Sequence, residues 1–170
     1  MSSNYSTMTS VINAKFKVEN LDVLEEPKVM TVSVKGCPRD ASLTLYRFDP
    51  NKEEIFPFFE KEIGLRSICD YVLLADYGDD LYILLMELKL GNLKAKEQLN
   101  ATENLISYII ASALRIKREI DRDKIHIRKI RISERRRQYT RKTKGGDIEY
   151  DENSYLDYPW DALHIRALLK

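Results

Sequence analysis

The chain has 170 residues, of which 44% are hydrophobic and 32% charged, a composition typical of one soluble globular domain. Its formal net charge is +1, so any attraction to nucleic acid or to an anionic membrane has to come from a local patch. The two cysteines, Cys37 and Cys69, lack metal-binding spacing and are predicted to be free thiols, which argues against a structural zinc site.

The first twelve residues, MSSNYSTMTSVI, are polar and rich in serine and threonine, which predicts a flexible N-terminal arm before a single domain over residues 13–170. They contain no basic leader or apolar stretch, and no later apolar run reaches the ~20 residues of a membrane span, so we expect a cytoplasmic protein. Short strands are predicted over 29–34 and 42–48, followed by a short helix that Asp49 caps and Pro57 interrupts.

Residues 68–75 and 81–90 are predicted to form a β-hairpin around the turn DYGDD, with a positive φ at Gly78. Apolar residues at helical spacing predict a long amphipathic helix over 93–119. The segment IHIRKIRI at 125–132 predicts another strand, in which the alternation slips by one residue and favours a bulge or an edge position. The C-terminal ALHIRALLK is expected to close the core as a strand or a short helix.

Charged residues interrupt both strands of the predicted hairpin, with Asp70 in the first and Glu87 and Lys89 in the second. Side chains alternate along a strand, so Glu87 and Lys89 share a face, and pairing around the turn places Asp70 opposite about position 87. Close carboxylates repel each other, and their oxygens suit Mg²⁺ or Mn²⁺. The hairpin therefore predicts a metal site with Asp70, Glu87 and the Leu88 carbonyl as ligands, and with Lys89 beside an activated water or a phosphate.

This arrangement resembles the PD-(D/E)xK nuclease superfamily. In that family an acidic residue in one strand is followed by Glu/Asp-x-Lys in the next strand, and then by a helix that often carries a glutamine near its start. The matching residues are Asp70 in CD, Glu87 and Lys89 in ELK, and Gln98 in the helix. Cys69 stands where the family has its proline. The resemblance covers about residues 50–132 and implies an α/β (α+β) fold with a restriction-endonuclease-like core, a central mixed sheet flanked by helices.

The resemblance also implies an activity, a Mg²⁺- or Mn²⁺-dependent endonuclease that acts on DNA rather than RNA, in defence against foreign DNA, restriction or repair. It implies catalytic roles for all four matching residues. A further acidic ligand is expected from the segment before the first strand, where Glu54, Glu60 and Glu62 are candidates and Glu60 is favoured. Small members work as homodimers or beside a partner such as an ATPase. The alternative function is a non-catalytic module that keeps the fold and binds nucleic acid or protein.

A basic segment, RRRQYTRKTK at residues 135–144, carries six positive charges and is followed by an acidic segment at 147–161. It predicts a loop that binds the phosphate backbone of nucleic acid, a solvated loop that pairs with the acidic segment, or a localisation signal. The nucleic-acid contacts would come from Arg135, Arg136, Arg137, Arg141, Lys142 and Lys144.

Overall fold

The structure is a computed structural model of the chain and describes residues 2–51, 55–60, 62, 64–89, 95–133, 148–158 and 162–170. The described helices are α1 (Ser3–Val11), α2 (Ala95–Lys117) and α3 (Ile165–Leu168). The described strands are β1 (Lys17–Val18), β2 (Val23–Glu26), β3 (Met30–Lys35), β4 (Ser42–Tyr46), β5 (Tyr71–Tyr77), β6 (Asp80–Leu88), β7 (Ile125–Ile132), β8 (Tyr155–Tyr158) and β9 (Ala162–His164). The chain is thus a mixed α+β protein. None of the helices in these ranges is long and apolar enough to cross a lipid bilayer.

The larger of the two sheets is six-stranded and mixed, with the order β1-β4-β5-β6-β7-β8. Neighbouring strands from β1 to β6 are antiparallel, whereas β6, β7 and β8 run parallel to one another. A parallel pair needs a crossover connection, and α2 lies in the connection between β6 and β7. The smaller sheet has the order β2-β3-β9.

The larger sheet separates two hydrophobic cores. On β6, the odd-numbered residues from Leu81 to Leu85 pack with α1 and α2, and the even-numbered residues from Tyr82 to Leu88 pack on the opposite face. Helices α1 and α2 cover the first face, and the smaller sheet and α3 cover the second face. Since both faces are covered, β5 and β6 are apolar along most of their length.

The predicted hairpin is confirmed as β5 and β6. Tyr77 pairs with Asp80 across a turn in which Gly78 has a φ of +64°. At the other end Tyr71 pairs with Met86, so the next positions outward are 70 and 87, as the sequence predicted. The long helix and the strand at 125–132 are also confirmed as α2 and β7, and the C-terminal segment forms both a strand and a short helix.

The prediction that β7 has a bulge or lies at an edge is wrong. It lies between β6 and β8, and its register with β6 is uninterrupted. Ile125 and Ile127 face α2, while Ile130 and Ile132 face the second core. The buried Lys129 occupies the next position on the α2 face, so the apolar pattern breaks there without any break in strand pairing.

The prediction of a flexible N-terminal arm is also wrong, because this segment forms α1. Tyr5, Met8 and Ile12 are spaced i, i+3 and i+7 and join the core beneath α2. The Asn4 side chain donates to the Asp121 carbonyl at 2.7 Å and accepts from the Asp121 N–H at 2.8 Å. Three apolar side chains and these long-range hydrogen bonds order a segment whose overall composition is polar.

Replacing Met8 with alanine tests whether α1 is an integral part of the fold. Met8 is fully buried, so Met8→Ala is expected to lower the free energy of unfolding by about 3 kcal/mol through the cavity it leaves. Ser6 lies on the exposed side of the same helix, and Ser6→Ala should stay within about 0.5 kcal/mol of wild type. Urea denaturation measures both variants. Equal stabilities would show that α1 is not docked.

Candidate active site

Asp70 lies immediately before β5, where the backbone ladder between β5 and β6 ends. Its Oδ2 accepts a hydrogen bond from the Leu88 N–H at 2.7 Å, so the carboxylate replaces a main-chain acceptor at this point. The residue is only 6% exposed. In an extended strand the N–H and the carbonyl of one residue point to the same edge, so the Leu88 carbonyl also lies on the Asp70 side of β6.

Glu87 is a carboxylate on the face of β6 that otherwise packs against α2. It is 1% exposed. Its Oε1 accepts a hydrogen bond from Lys89 Nζ at 3.0 Å, whereas its Oε2 is buried and has no hydrogen bond of normal geometry to any described residue. A buried acceptor without a partner costs free energy, so this oxygen marks a position suited to a ligand.

Lys89 connects the end of β6 to the first turn of α2. Its Nζ donates to Gln98 Oε1 at 2.9 Å as well as to Glu87, and its backbone N–H donates to the Ile132 carbonyl at 3.0 Å. The side chain is 33% exposed, so the ammonium group remains accessible from solvent. The structure thus brings the four residues predicted from the sequence together at one end of the hairpin.

Thr102 is a further residue of this region that sequence reasoning missed. Its Oγ1 accepts from the Cys69 N–H at 2.7 Å and donates to the Gln98 carbonyl at 2.8 Å, one helical turn earlier. Gln98 Nε2 in turn donates to the Ile68 carbonyl at 3.5 Å. These contacts fix the main chain that carries Asp70 to α2. The sequence signal would have been a threonine one turn after Gln98, on a helix face that is otherwise apolar.

Among the described residues, the acidic groups that act on Asp70 are not the predicted Glu60 and Glu62. Glu26, at the end of β2, and Asp49, just after β4, are the carboxylates whose charges raise the pKa of Asp70. Glu26 is itself paired with Arg47 at 3.2 Å. Asp49 comes to this end of the sheet because Tyr46 at the end of β4 pairs with Val72 near the start of β5.

The other predicted site residues are exposed or lie outside the described ranges. Glu60 and Glu62 are both exposed. Glu54 and the basic segment at 135–144 lie outside the described residues.

The cysteine prediction is confirmed, since Cys37 and Cys69 are both free thiols and Cys69 is buried. Burial raises the pKa of the Cys69 thiol to about 12, so the thiol stays protonated at neutral pH.

Burial raises the pKa of both central carboxyl groups. The pKa of Glu87 rises to about 7, mainly through burial and then through the charge of Asp70, against the effect of Lys89. The pKa of Asp70 rises to about 6, again mainly through burial, against the hydrogen bond from Leu88. A positive charge between the two groups would favour their ionised forms, so cation binding and proton release are coupled here.

The donor set at this site fits a hard divalent cation. Within the described ranges no group of three or more His, Cys, Asp or Glu side chains is placed to hold a metal. Asp70, Glu87 and the Leu88 carbonyl offer two carboxylates and one neutral oxygen. Mg²⁺ keeps several waters and is commonly held by one or two carboxylates, so this smaller set is sufficient for it.

No protein-family model, curated protein or solved structure matches the chain. The functional interpretation therefore depends on the four side chains and on their arrangement on β5, β6 and α2.

The raised pKa of Glu87 predicts a pH dependence of stability in metal-free buffer. The pKa of Glu87 is about 7 in the folded protein, against ~4.3 for a glutamate in the unfolded chain. Its contribution to the free energy of unfolding is therefore fully present below pH ~4.3 and is lost as the pH rises through 7. The free energy of unfolding of wild type in EDTA should therefore fall between pH 5 and 8. In Glu87→Gln, which has no carboxyl group at this position, the fall over the same pH range should be smaller by roughly 2 kcal/mol. Urea titrations at several pH values measure this. Parallel curves for the two proteins would contradict the raised pKa.

Proposed function

We propose that the chain is a metal-dependent nuclease of the PD-(D/E)xK type that hydrolyses phosphodiester bonds, most favourably as a DNA endonuclease. The observation that carries the proposal is the buried Glu87 carboxylate. It shares Lys89 with Gln98, faces the Asp70 end of the hairpin and has one oxygen without a hydrogen bond of normal geometry to any described residue. A role in defence, restriction or repair follows from the resemblance alone.

The order of elements supports a restriction-endonuclease-like core. An antiparallel hairpin carries both acids at one end, a helix with Gln98 in its first turn follows, and β7 then returns parallel to β6. This is the order of strand, strand, helix and strand that the resemblance implies. The short helix expected from Asp49 onward begins as a 3-10 turn over Asp49–Asn51, and residues 52–54 lie outside the described ranges.

Asp70, Glu87 and the Leu88 carbonyl are the groups that would hold Mg²⁺ or Mn²⁺. When bound, such a cation supplies a Lewis acid for a phosphate oxygen and lowers the pKa of a coordinated water. The protein's own contribution is to fix these oxygens beforehand. Asp70 is held by the Leu88 N–H and Glu87 by Lys89, so little reorganisation is needed when a cation binds.

Lys89 is the residue proposed to act on the reacting atoms. Two of its three N–H donors go to Glu87 and Gln98, and the third has no partner in the described part of the chain. Because the side chain is one-third exposed, that donor can orient an attacking water or stabilise the negative charge that develops on the phosphate. Glu87 and Gln98 position the ammonium group before substrate arrives.

The alternative is a non-catalytic module that binds nucleic acid or protein. Such a module has no use for a carboxylate at position 87, because an apolar side chain buried there would stabilise the fold at least as well. The retained network of Glu87, Lys89 and Gln98 therefore favours catalysis.

The metal-site assignment predicts the behaviour of two conservative variants. Asp70→Asn keeps an acceptor for the Leu88 N–H, and Glu87→Gln keeps an acceptor for Lys89, so both should fold while losing a charged ligand. Each is expected to reduce cleavage by roughly 1,000-fold, since a bound metal contributes several kcal/mol to transition-state stabilisation. The assay uses linear, circular and single-stranded substrates with Mg²⁺ or Mn²⁺.

Asp76 provides the matched control for these variants. It is a buried carboxylate on the same face of β5, at the opposite end of the strand, and it accepts a hydrogen bond from the Ser2 N–H at 2.7 Å. Asp76→Asn should cleave like wild type. Undiminished cleavage by Asp70→Asn or Glu87→Gln would show that the metal site lies elsewhere.

Lys89 separates the nuclease from the binding module. Lys89→Met keeps the aliphatic stem and removes the ammonium group, so cleavage should fall by at least ~100-fold while the rise in melting temperature on adding Mg²⁺ persists. Lys89→Arg should not restore the rate, because a planar guanidinium cannot replace a compact ammonium. A binding module would show no cleavage in wild type and only a small change in affinity. Normal turnover by Lys89→Met would remove its catalytic role.

A further inference from the structure

A second polar feature lies on the α2 side of the larger sheet. This cleft, called the Lys129 cleft below, has a volume of about 380 Å³ and is lined by Lys96, Asn100, Glu103, Lys129, Asn153 and Tyr155. Its three α2 residues are spaced i, i+4 and i+7, so they share one flank of the helix. Gln98 and Thr102 lie on the other flank, across the buried stripe that contains Leu99 and Ile106.

Lys129 is a buried cation at the floor of this cleft. It is 6% exposed, and its Nζ lies 2.7 Å from Glu103 Oε2 and 3.0 Å from Asn100 Oδ1. A buried ion pair adds little to stability, because desolvation offsets most of the attraction. An apolar residue at this position would continue the pattern of Ile125 and Ile127 on the same face. The ammonium group is therefore better explained by a ligand than by packing.

Two lysines and two carboxylates lie around the cleft. Lys96 Nζ lies 4.5 Å from the centre of the Tyr155 ring, and Glu103 is paired with Lys129. The exposed Asp151 carboxylate accepts hydrogen bonds from the N–H groups of Asn153 and Tyr155 at the edge of the cleft, which leaves the lysine ammonium groups as its charged donors. The side-chain amide nitrogens of Asn100 and Asn153 have no hydrogen-bond partner within the described residues, so both are available as donors. Two ammonium groups and two amide donors around one cleft match the chemistry of a phosphate group, which offers several acceptor oxygens.

Strand register places this cleft next to the candidate active site. Glu87 lies opposite Arg131 on β7, and Lys129 is two residues before Arg131 on the same face. With strands ~4.8 Å apart and a rise of ~3.3 Å per residue, the Cα atoms of Glu87 and Lys129 are separated by ~8 Å. This is comparable to the spacing of neighbouring phosphates on one strand, which exceeds the axial rise of ~3.4 Å per nucleotide because the backbone winds around the helix axis.

We propose that the Lys129 cleft binds a phosphate of the nucleic-acid strand adjacent to the bond that is cleaved, with Lys96 and Lys129 as its charged contacts. The inference rests on the proposed nuclease function and extends it, because it directs the substrate strand from the end of β6 across β7 towards β8.

Lys96→Gln is the first test, because Lys96 is exposed and its replacement leaves the core intact. Affinity is measured by fluorescence anisotropy with labelled single- and double-stranded DNA and RNA in EDTA, over a series of salt concentrations. We expect ~5-fold weaker binding and a slope of log affinity against log salt that is smaller by about one. Lys117→Gln removes the same charge from the exposed far end of the same helix and should bind like wild type.

The double variant Lys129→Met/Glu103→Gln is the second test. It removes both partners of the ion pair, so no charge is left buried alone and the net charge of the chain is unchanged. A melting temperature close to that of wild type confirms folding. Binding should again weaken by ~5-fold, which a general effect of net charge would not produce.

The outcomes for the cleft and for the nuclease are distinguishable. Equal binding by wild type, Lys96→Gln and the double variant would overturn the cleft proposal, even if wild type cleaves DNA with Mg²⁺. Weakened binding by both variants, with no cleavage by wild type in Mg²⁺ or Mn²⁺, would support the cleft and overturn the nuclease. Failure of wild type to bind any of these nucleic acids at low salt would overturn both.

Discussion

The burial of Glu87 is the constraint from which most polar contacts at this end of the sheet follow. Its strand is covered on both faces, so a carboxylate on the α2 side has little access to water. Lys89 supplies the opposite charge, and Gln98 holds the ammonium group from the first turn of α2. Thr102 then ties the same helix to the main chain before Asp70. Polar contacts thus connect β6, α2 and the segment before β5 at this end of the sheet.

The ionised carboxylate of Glu87 does not add to the stability of the metal-free protein. Burial and the mutual repulsion of two carboxylates raise the pKa of Glu87, which means that its ionised form is disfavoured in the folded state. The hydrogen bond and charge of Lys89, together with the backbone N–H of Asp70, offset only part of this cost. Buried polar groups that are incompletely satisfied often lie at functional sites, and the Glu87 oxygen that lacks a hydrogen bond of normal geometry to any described residue is consistent with a ligand there.

Local patterns were sufficient to predict the hairpin and the four central residues. A turn with Gly78 sets the register, and the period of two then fixes which side chains share a face and which end they occupy. Such local patterns do not predict contacts between segments that are far apart in the sequence. The docking of α1 depends on Asn4 meeting Asp121, and the acids near Asp70 come from β2 and from the end of β4. Thr102 acts through a main-chain N–H some thirty residues away, so its type and spacing alone do not reveal its role.

The crossover from β6 to β7 explains why the proposed metal site and the Lys129 cleft lie side by side. In a parallel pair the connecting helix packs across both strands, so the first turns of α2 have one flank toward β5 and the other toward β8. Leu99 and Ile106 between these flanks are completely buried, which fixes the orientation of the helix. Gln98 on one flank and Lys96 on the other are therefore held at a set spacing by the same core. The helix that holds the Lys89 ammonium group through Gln98 also carries Lys96, so a nucleic-acid strand bound as proposed would meet both side chains without any movement of the protein.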